Sequence, residues 1–364
     1  MTATDLGLGV GLTTLAPAKV NVTLVVGPTR ARDGRHELVS VMQSLSLADT
    51  VTLRRRREGD PAPPIADPHG DAVDCAGVDG DNLALQALRA FREATGWDAP
   101  PLTVVIAKRI PVAAGMAGGS ADAGATLRLA RTIQPLDDAT LDRIAIGLGA
   151  DVPHQLQPGL ALAEGAGERL TRLPGRLPGA IVVLRAPFGL ATADVYRRTD
   201  ELGATRAADD LAGWRARISG ALGIGVAPAG GRPESPLPPS HRPESPLPPS
   251  HRPEGPASGS ERVGSGAALR ADPPSHPLLP AALRVNDLQR AAIDLRPEVD
   301  DALDALRSVG GTGAMVSGSG PTTFAWFGDD ASASRAAGRL RDAGHDVDVA
   351  HPVAGVPTPS GDLS

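Results

Sequence analysis

Residues 111–121 read PVAAGMAGGSA, between the apolar run LTVVIA at 102–107 and the helix-forming stretch ADAGATLRLA at 121–130. Glycines at 115, 118 and 119 permit positive φ and let backbone N–H groups approach an oxyanion with no side chain in the way. A helix starting directly behind them adds unpaired N–H groups and the positive end of its dipole, and both favour phosphate. Ser120 stands where it can cap that helix, touch a phosphate or metal, or do both. No Lys-Ser or Lys-Thr closes the stretch, so it is not a Walker A loop, and it lacks the GxGxxG spacing of a dinucleotide fold. Alone, such a turn is equally compatible with tight packing.

Its surroundings narrow the choice. Residues 19–26 read KVNVTLVV, in which valines and leucine alternate with Lys19, Asn21 and Thr23, the period-two pattern of a half-buried strand. Lys19 and Asn21 therefore share a face. A further strand region is predicted over 39–53, and a helix over 82–95 with Leu85, Leu88 and Phe91 at helical spacing and Gly96 as its stop. Another helix is predicted over 137–148, ending in GADVP, where Pro153 biases Val152 away from helical angles and leaves Asp151 in a loop. Beyond a strand at 181–184, the run from Pro297 predicts helix, strand (314–316), strand (322–327), helix (331–343) and strand (347–350). That order suggests an α+β layer with helices on one face of an antiparallel sheet.

Between these regions, residues 204–283 lose all periodicity. RPESPLPPSH occurs twice in tandem at 232–251, and a third copy begins at Arg252. So much Pro, Ser and Gly with so few aliphatics cannot bury enough apolar surface to offset the entropy of ordering, which predicts a disordered insertion. An unknown partner docking on this Pro-rich stretch is the alternative to plain low complexity. Residues 354–364 read as a frayed tail.

Composition sets outer limits. The chain has 364 residues, 41% hydrophobic and 2% aromatic, so its core must be built from Val, Leu, Ile and Ala. A net charge of -6 argues against general nucleic-acid binding, and Arg54–Arg57 read as a solvated strand end with no interleaved aromatics. The single cysteine, Cys75, cannot form an internal disulfide, and no Cys/His spacing suits zinc, so no protein-held metal site is expected. The N-terminal stretch lacks the pattern of a signal peptide, and no run is long and apolar enough to cross a bilayer. These features point to a cytoplasmic protein without membrane or nucleic-acid partners.

Taken together, five segments resemble the GHMP kinases (galactokinase, homoserine kinase, mevalonate kinase and phosphomevalonate kinase). PVAAGMAGGSA is similar to their ATP-binding motif, and APAKVNVTL at 16–24 to their N-terminal strand. DGRHEL at 33–38, LGADVP at 148–153 and SGSGPT at 317–322 fall in the family's order. The closest likeness is to the branch whose acceptor is a cytidine-diphosphate-linked methylerythritol. The resemblance implies a two-domain α+β fold. Residues 10–160 would form an ATP-binding and catalytic domain of the ribosomal-protein-S5-domain-2-like type. Residues 161–203 and 284–353 would form a ferredoxin-like C-terminal domain, interrupted by the insertion at 204–283.

The same resemblance implies ATP held by Pro111, Val112, Ala113, Ala114, Gly115, Met116, Ala117, Gly118, Gly119, Ser120 and Ala121, with Mg²⁺ carried mainly by its phosphates. It implies a small-molecule acceptor and a monomer or weak homodimer. Phosphoryl transfer to a hydroxyl needs positioning, charge neutralisation and a proton acceptor. Asp151 is the candidate base and Lys19 the candidate cation, the same pair that the family uses. Asn21, His36 and Tyr196 are the candidate acceptor-binding residues, His36 for the base edge and Tyr196 for stacking. Arg35 replaces an aromatic residue of the family pattern, and a guanidinium can also lie flat on a nucleobase. A homoserine- or mevalonate-type kinase, and a catalytically dead GHMP-fold binding protein, are the alternatives.

Overall fold

The computed structural model describes residues 11–62, 67–76, 82–112, 114–224 and 276–360. Two long strands, β1 (Leu12–Thr29) and β2 (His36–Arg55), form an antiparallel ribbon that carries the first sheet. The second half of β2 pairs with β4 (Leu102–Ala107), which also holds the short parallel strand β3 (Ala72–Cys75). Its first half pairs with β5 (Leu160–Gly165), followed by β6 (Arg169–Leu173). β1 pairs only with β2, so its other edge is free to meet loops.

The alternation in 19–26 places the valines in the core, but the opposite face is not solvated as a half-buried strand would have it. Lys19, Asn21 and Thr23 are 4%, 2% and 0% exposed. The segment from Leu283 to Asp287 covers the Thr23 end: the Thr23 hydroxyl donates to Leu283 O, Leu24 N donates to Val285 O and Asp287 N donates to Leu24 O. Three polar residues in a row are thus withdrawn from water, which a strand tolerates only if each finds a partner.

The second sheet has the order β10 (Asp346–Ala350), β7 (Ala180–Arg185), β9 (Thr323–Phe327), β8 (Thr312–Val316), antiparallel throughout. Period-two alternation divides its side chains between two cores. Ile181, Val183, Phe324 and Trp326 join the large core built on the first sheet. Val182, Leu184, Ala325 and Phe327 pack instead against Leu306 of α8 (Glu298–Ser308) and Ala333, Ala336 and Leu340 of α9 (Asp330–Asp342). This is the expected α+β layer, helices on one face of an antiparallel sheet.

Helix α1 (Leu83–Thr95) starts where predicted, with the Asn82 side chain accepting from Ala84 N, and stops at Gly96, whose φ of 62° is left-handed. Helix α2 (Gly118–Ile133) follows the glycine-rich loop, and Asp137 caps α3 (Asp138–Leu148). Val152 departs from expectation. It opens a short helix, α4 (Val152–Leu156), with Pro153 in the first turn, where a missing N–H breaks no helical bond. Asp151 still precedes it, in a turn.

Helix α5 (Thr192–Glu201) lies across from the His36 end of β2, and α7 (Gln289–Leu295) packs beside it. Residues 208–221, assigned above to the insertion, form helix α6 (Ala208–Ala221), which packs on β1 and β2 through buried Leu211 and Ile218. The insertion from 225 to 275 lies outside the described residues. The tail is docked rather than frayed as far as Ser360, whose N–H and carbonyl both bond Thr13.

One buried ion pair fastens this frame. Arg92, in the last turn of α1, meets Asp71 at 2.7 Å, and both side chains are fully buried. Arg92 also donates to the carbonyls of Trp97, Ala99 and Pro100, while Asp71 accepts from Leu102 N at the start of β4. Removing one member leaves the other charged and unpaired in the core, which costs about 3–5 kcal/mol. Arg92→Ala is therefore expected to lower the denaturant-unfolding free energy by that amount. A loss under about 1 kcal/mol, the range of an exposed pair, contradicts this account.

Candidate active site

The β1–β2 register shifts between Pro17 and Lys19, and Lys19 N donates to Met116 O of the glycine-rich loop. The ammonium lies 2.7 Å from Asn21 Oδ1 and 3.5 Å from Asp151 Oδ2. Asn21 in turn donates to the Ser40 hydroxyl at 2.7 Å, and Ser40 donates to Thr23 O. The chain of bonds fixes the lysine from below. Asp151, whose side chain is 31% exposed, closes it from the side of the cavity.

Behind Asp151, His154 is fully buried in α4, and burial pushes its imidazole down to about 3, so it is neutral. The Ser44 hydroxyl accepts from Gly159 N and shares a hydrogen bond of 3.1 Å with His154 Nε2, pinning the short helix to β2 beside Lys19.

The glycine-rich loop meets the loop 317–320 backbone to backbone. Gly115 has a φ of 70°, and a Cβ built there would stand 2.3 Å from Ser317 O and 2.8 Å from Gly320 O. Gly318 mirrors it, with φ 56° and a would-be Cβ 2.9 Å from Gly115 O. The Ser317 hydroxyl also donates to Gly115 O. Ala117, at the N-cap of α2, has φ 57°, a costly conformation for a residue with a Cβ. The turn so held leaves the first N–H groups of α2 without intrahelical partners.

Ser120 is not the cap. It lies inside the first turn and makes no side-chain hydrogen bond among the described residues, while its side chain lines the cavity. Pro111, Val112, Ala114, Gly115, Ala117, Gly118 and Gly119 line it too, whereas Met116 and Ala121 are turned into the core. Ala113 lies outside the described residues.

Lys19, Asn21, Asp151 and Gly318 border the same cavity as these loop residues, a space of about 950 Å³. At the end away from the loop stand Arg35, His36, Tyr196, Arg197 and Asp200. His36 Nδ1 donates to Gly27 O at 2.9 Å, and its ring stacks on Tyr196 with centroids 5.2 Å apart. Burial and the charge of Asp151 push the Tyr196 phenol up, so it remains a neutral hydroxyl. Lys19, Asn21, His36, Tyr196 and Asp151, read from four separate segments, thus share one space with the loop.

Beside the glycine-rich loop, Lys108 and Asp122 also line this cavity, and neither has a role in the sequence reading. Lys108, at the end of β4, pairs with Asp49 of β2 and, at 2.8 Å, with Asp122 of α2. Its ammonium lies against Gly118, where a Cβ would approach to 3.3 Å. Burial works against the Lys108 charge, but Asp122 and Asp49 outweigh it and raise its pKa. With two carboxylates around one ammonium, burial pushes Asp122 up to about 7. The available signal was a lysine directly between an apolar strand and a glycine-rich turn. Cys75 lines the same end, and burial pushes its thiol up, which keeps it protonated and unreactive.

Residues 82–159 match the GHMP kinases N terminal domain and residues 268–346 the GHMP kinases C terminal domain. This chain belongs to the GHMP kinases. It is 36% identical to the 4-diphosphocytidyl-2-C-methyl-D-erythritol kinase of Streptomyces coelicolor, over 93% of this chain and 95% of that one. With the kinase of the same name from Anaeromyxobacter dehalogenans it shares 34% identity, over 87% of this chain and 80% of the relative. A crystal structure of 4-(cytidine 5'-diphospho)-2C-methyl-D-erythritol kinase superposes with a TM-score of 0.60 at 26% identity, covering 96% of this chain and 99% of that one. A homoserine kinase from Cytophaga hutchinsonii superposes with a TM-score of 0.59 at 15% identity, a likeness of fold alone.

Gly115→Ala tests the contact between the two loops. A methyl group at 2.3 Å from a carbonyl oxygen on a left-handed backbone must force the loops apart. The variant is expected to lose more than about 1 kcal/mol of stability and to bind ATP more weakly. Unchanged melting temperature and unchanged KM for ATP contradict the geometry.

Proposed function

We propose that this chain transfers the γ-phosphoryl group of ATP to the 2-hydroxyl of 4-diphosphocytidyl-2-C-methyl-D-erythritol. The products are the 2-phosphate and ADP, a step on the non-mevalonate route to isoprenoid precursors. The observation that carries this reading is the single cavity bordered by a phosphate-type loop, a Lys–Asp pair and a His–Tyr stack. A homoserine- or mevalonate-type acceptor has no base to occupy the His36 and Tyr196 end. The names of the relatives over most of the chain support the same acceptor.

In this mechanism the backbone N–H groups at the start of α2 bind the phosphates of ATP, aided by the helix dipole. Lys108 stands beside the same loop, its ammonium held there by Asp49 and Asp122. Among the described residues no cluster of His, Cys, Asp or Glu could hold a metal alone, whereas the unbonded Ser120 hydroxyl lines the cavity beside the loop. That donor set fits Mg²⁺ carried by the nucleotide, with Ser120 as the chain's own oxygen ligand, where the ion would neutralise phosphate charge.

Asp151 takes the proton of the acceptor hydroxyl as its oxygen attacks the γ-phosphorus. Lys19 serves two ends. Its ammonium holds the Asp151 carboxylate at 3.5 Å, and it faces the negative charge spread over the moving phosphoryl oxygens. Asn21 and Ser40 orient Lys19, so that little reorganisation is needed when that charge develops.

The reading is tested by ADP release from the purified protein with 4-diphosphocytidyl-2-C-methyl-D-erythritol, homoserine and mevalonate supplied separately. Turnover on the first alone is expected. A clear preference for an acceptor lacking cytidine overturns the acceptor assignment. ATP binding with no turnover on any of them favours a catalytically dead binding protein.

A further inference from the structure

The ring of His36 is held on three sides. Its Nδ1 faces the Gly27 carbonyl oxygen, which can only accept, so Nδ1 carries a proton and Nε2 is the nitrogen left to meet another group. Nε2 stands 3.3 Å from Asp200 Oδ2, an ion pair when the ring is protonated. Tyr196 covers one ring face at an interplanar angle of 25°. Tyr196 and Asp200 are four residues apart on α5 and so project from one face of the helix, one turn apart.

Three carboxylates line the cavity among the described residues: Asp122, Asp151 and Asp200. Asp122 is tied to Lys108 and Asp151 faces Lys19, which leaves Asp200 with His36. The Asp200 side chain is 49% exposed and that of His36 only 9%. An exposed carboxylate directed at an enclosed imidazole adds little to folding, since half-exposed pairs are screened by water. Its consequence is geometric. Without it the ring is free to turn about its Cβ–Cγ bond within the limits set by Tyr196 and Gly27.

We propose that Asp200 is a positioning residue for the acceptor: it holds the His36 ring edge-on to the cavity and sets affinity for the cytidine end without touching the reacting atoms. The inference deepens the acceptor assignment made above and rests on it. The position could not be read from the sequence, because residue 200 meets residue 36 only when α5 lies across the end of the β1–β2 ribbon. Partners that orient a ligating histidine in this way are worth roughly tenfold in affinity where they have been removed from metal sites. An effect of about that size is expected here.

The test is calorimetric titration of cytidine 5'-diphosphate into the full chain saturated with a non-hydrolysable ATP analogue, which keeps the ligand out of the nucleotide end. Asp200→Ala is expected to weaken binding about tenfold, and Asp200→Asn by less, because an amide N–H can donate to the Nε2 lone pair of a ring whose proton sits on Nδ1. Affinity for the ATP analogue should not change. In a His36→Gln background, Asp200→Ala should have no further effect, which a purely structural role or a direct contact would not produce. Wild-type affinity in Asp200→Ala, an equal loss with His36 already replaced, or no binding of cytidine 5'-diphosphate by the wild type overturns the proposal. Should the wild type bind cytidine 5'-diphosphate through Asp200 and yet fail to phosphorylate the acceptor, the kinase assignment falls and this inference stands.

Discussion

Two glycine-rich loops meet where no methyl group fits, and that contact sets the position of everything else in the cavity. Gly115 and Gly318 each present bare backbone to the other's loop, at a separation that any side chain would break. The first loop thereby leads α2 away at an angle that leaves its N–H groups facing the cavity. The second loop continues from β8 into β9, so the antiparallel sheet with its helices is anchored to the phosphate side of the site. Thr192 extends the connection, since its hydroxyl lies 3.0 Å from that of Ser319 and joins the start of α5 to the same loop. Helix α5 then carries Tyr196 to His36 at the opposite end.

Burial of Lys19 is the second constraint. An ammonium 4% exposed requires partners for its charge, and the sequence supplies them from two directions. Asn21 is two residues along the same strand, hence on the same face, while Asp151 arrives from the turn between α3 and α4. Neutral His154 and Ser44 anchor that turn, so the carboxylate is held without adding a competing charge. The outcome is an ammonium and a carboxylate fixed side by side, the kind of preorganisation from which phosphoryl transfer gains most.

Much of this was legible because the relevant signals are local. The strand–glycine–helix sequence at 102–130 encodes the loop, the alternation at 19–26 places Lys19 and Asn21 together, and Asn82 and Gly96 mark the two ends of α1. What escaped is non-local or masked by its neighbours. Lys108, Asp49 and Asp122 come from three elements and converge only because β2 and β4 pair through Thr50 and Ala107. Leu211, Trp214, Ile218 and Leu222 carry a helical spacing, but they border a Pro-rich repeat whose composition dominates the window. Pro153 misled in the opposite way, since the first turn of a helix is the one place where it is welcome. The docked tail could not be foreseen either, because its partner, Thr13, lies at the other end of the chain.

The central claim is that Asp151 accepts the proton while Lys19 stabilises the phosphoryl group in flight. The most direct measurement follows ATP and 4-diphosphocytidyl-2-C-methyl-D-erythritol by ³¹P NMR with the wild type and with Asp151→Asn, after nucleotide binding by both has been verified. The account predicts a new phosphomonoester on the acceptor with the wild type, formed at least about a hundredfold more slowly by the variant. Equal rates from the two proteins would contradict it.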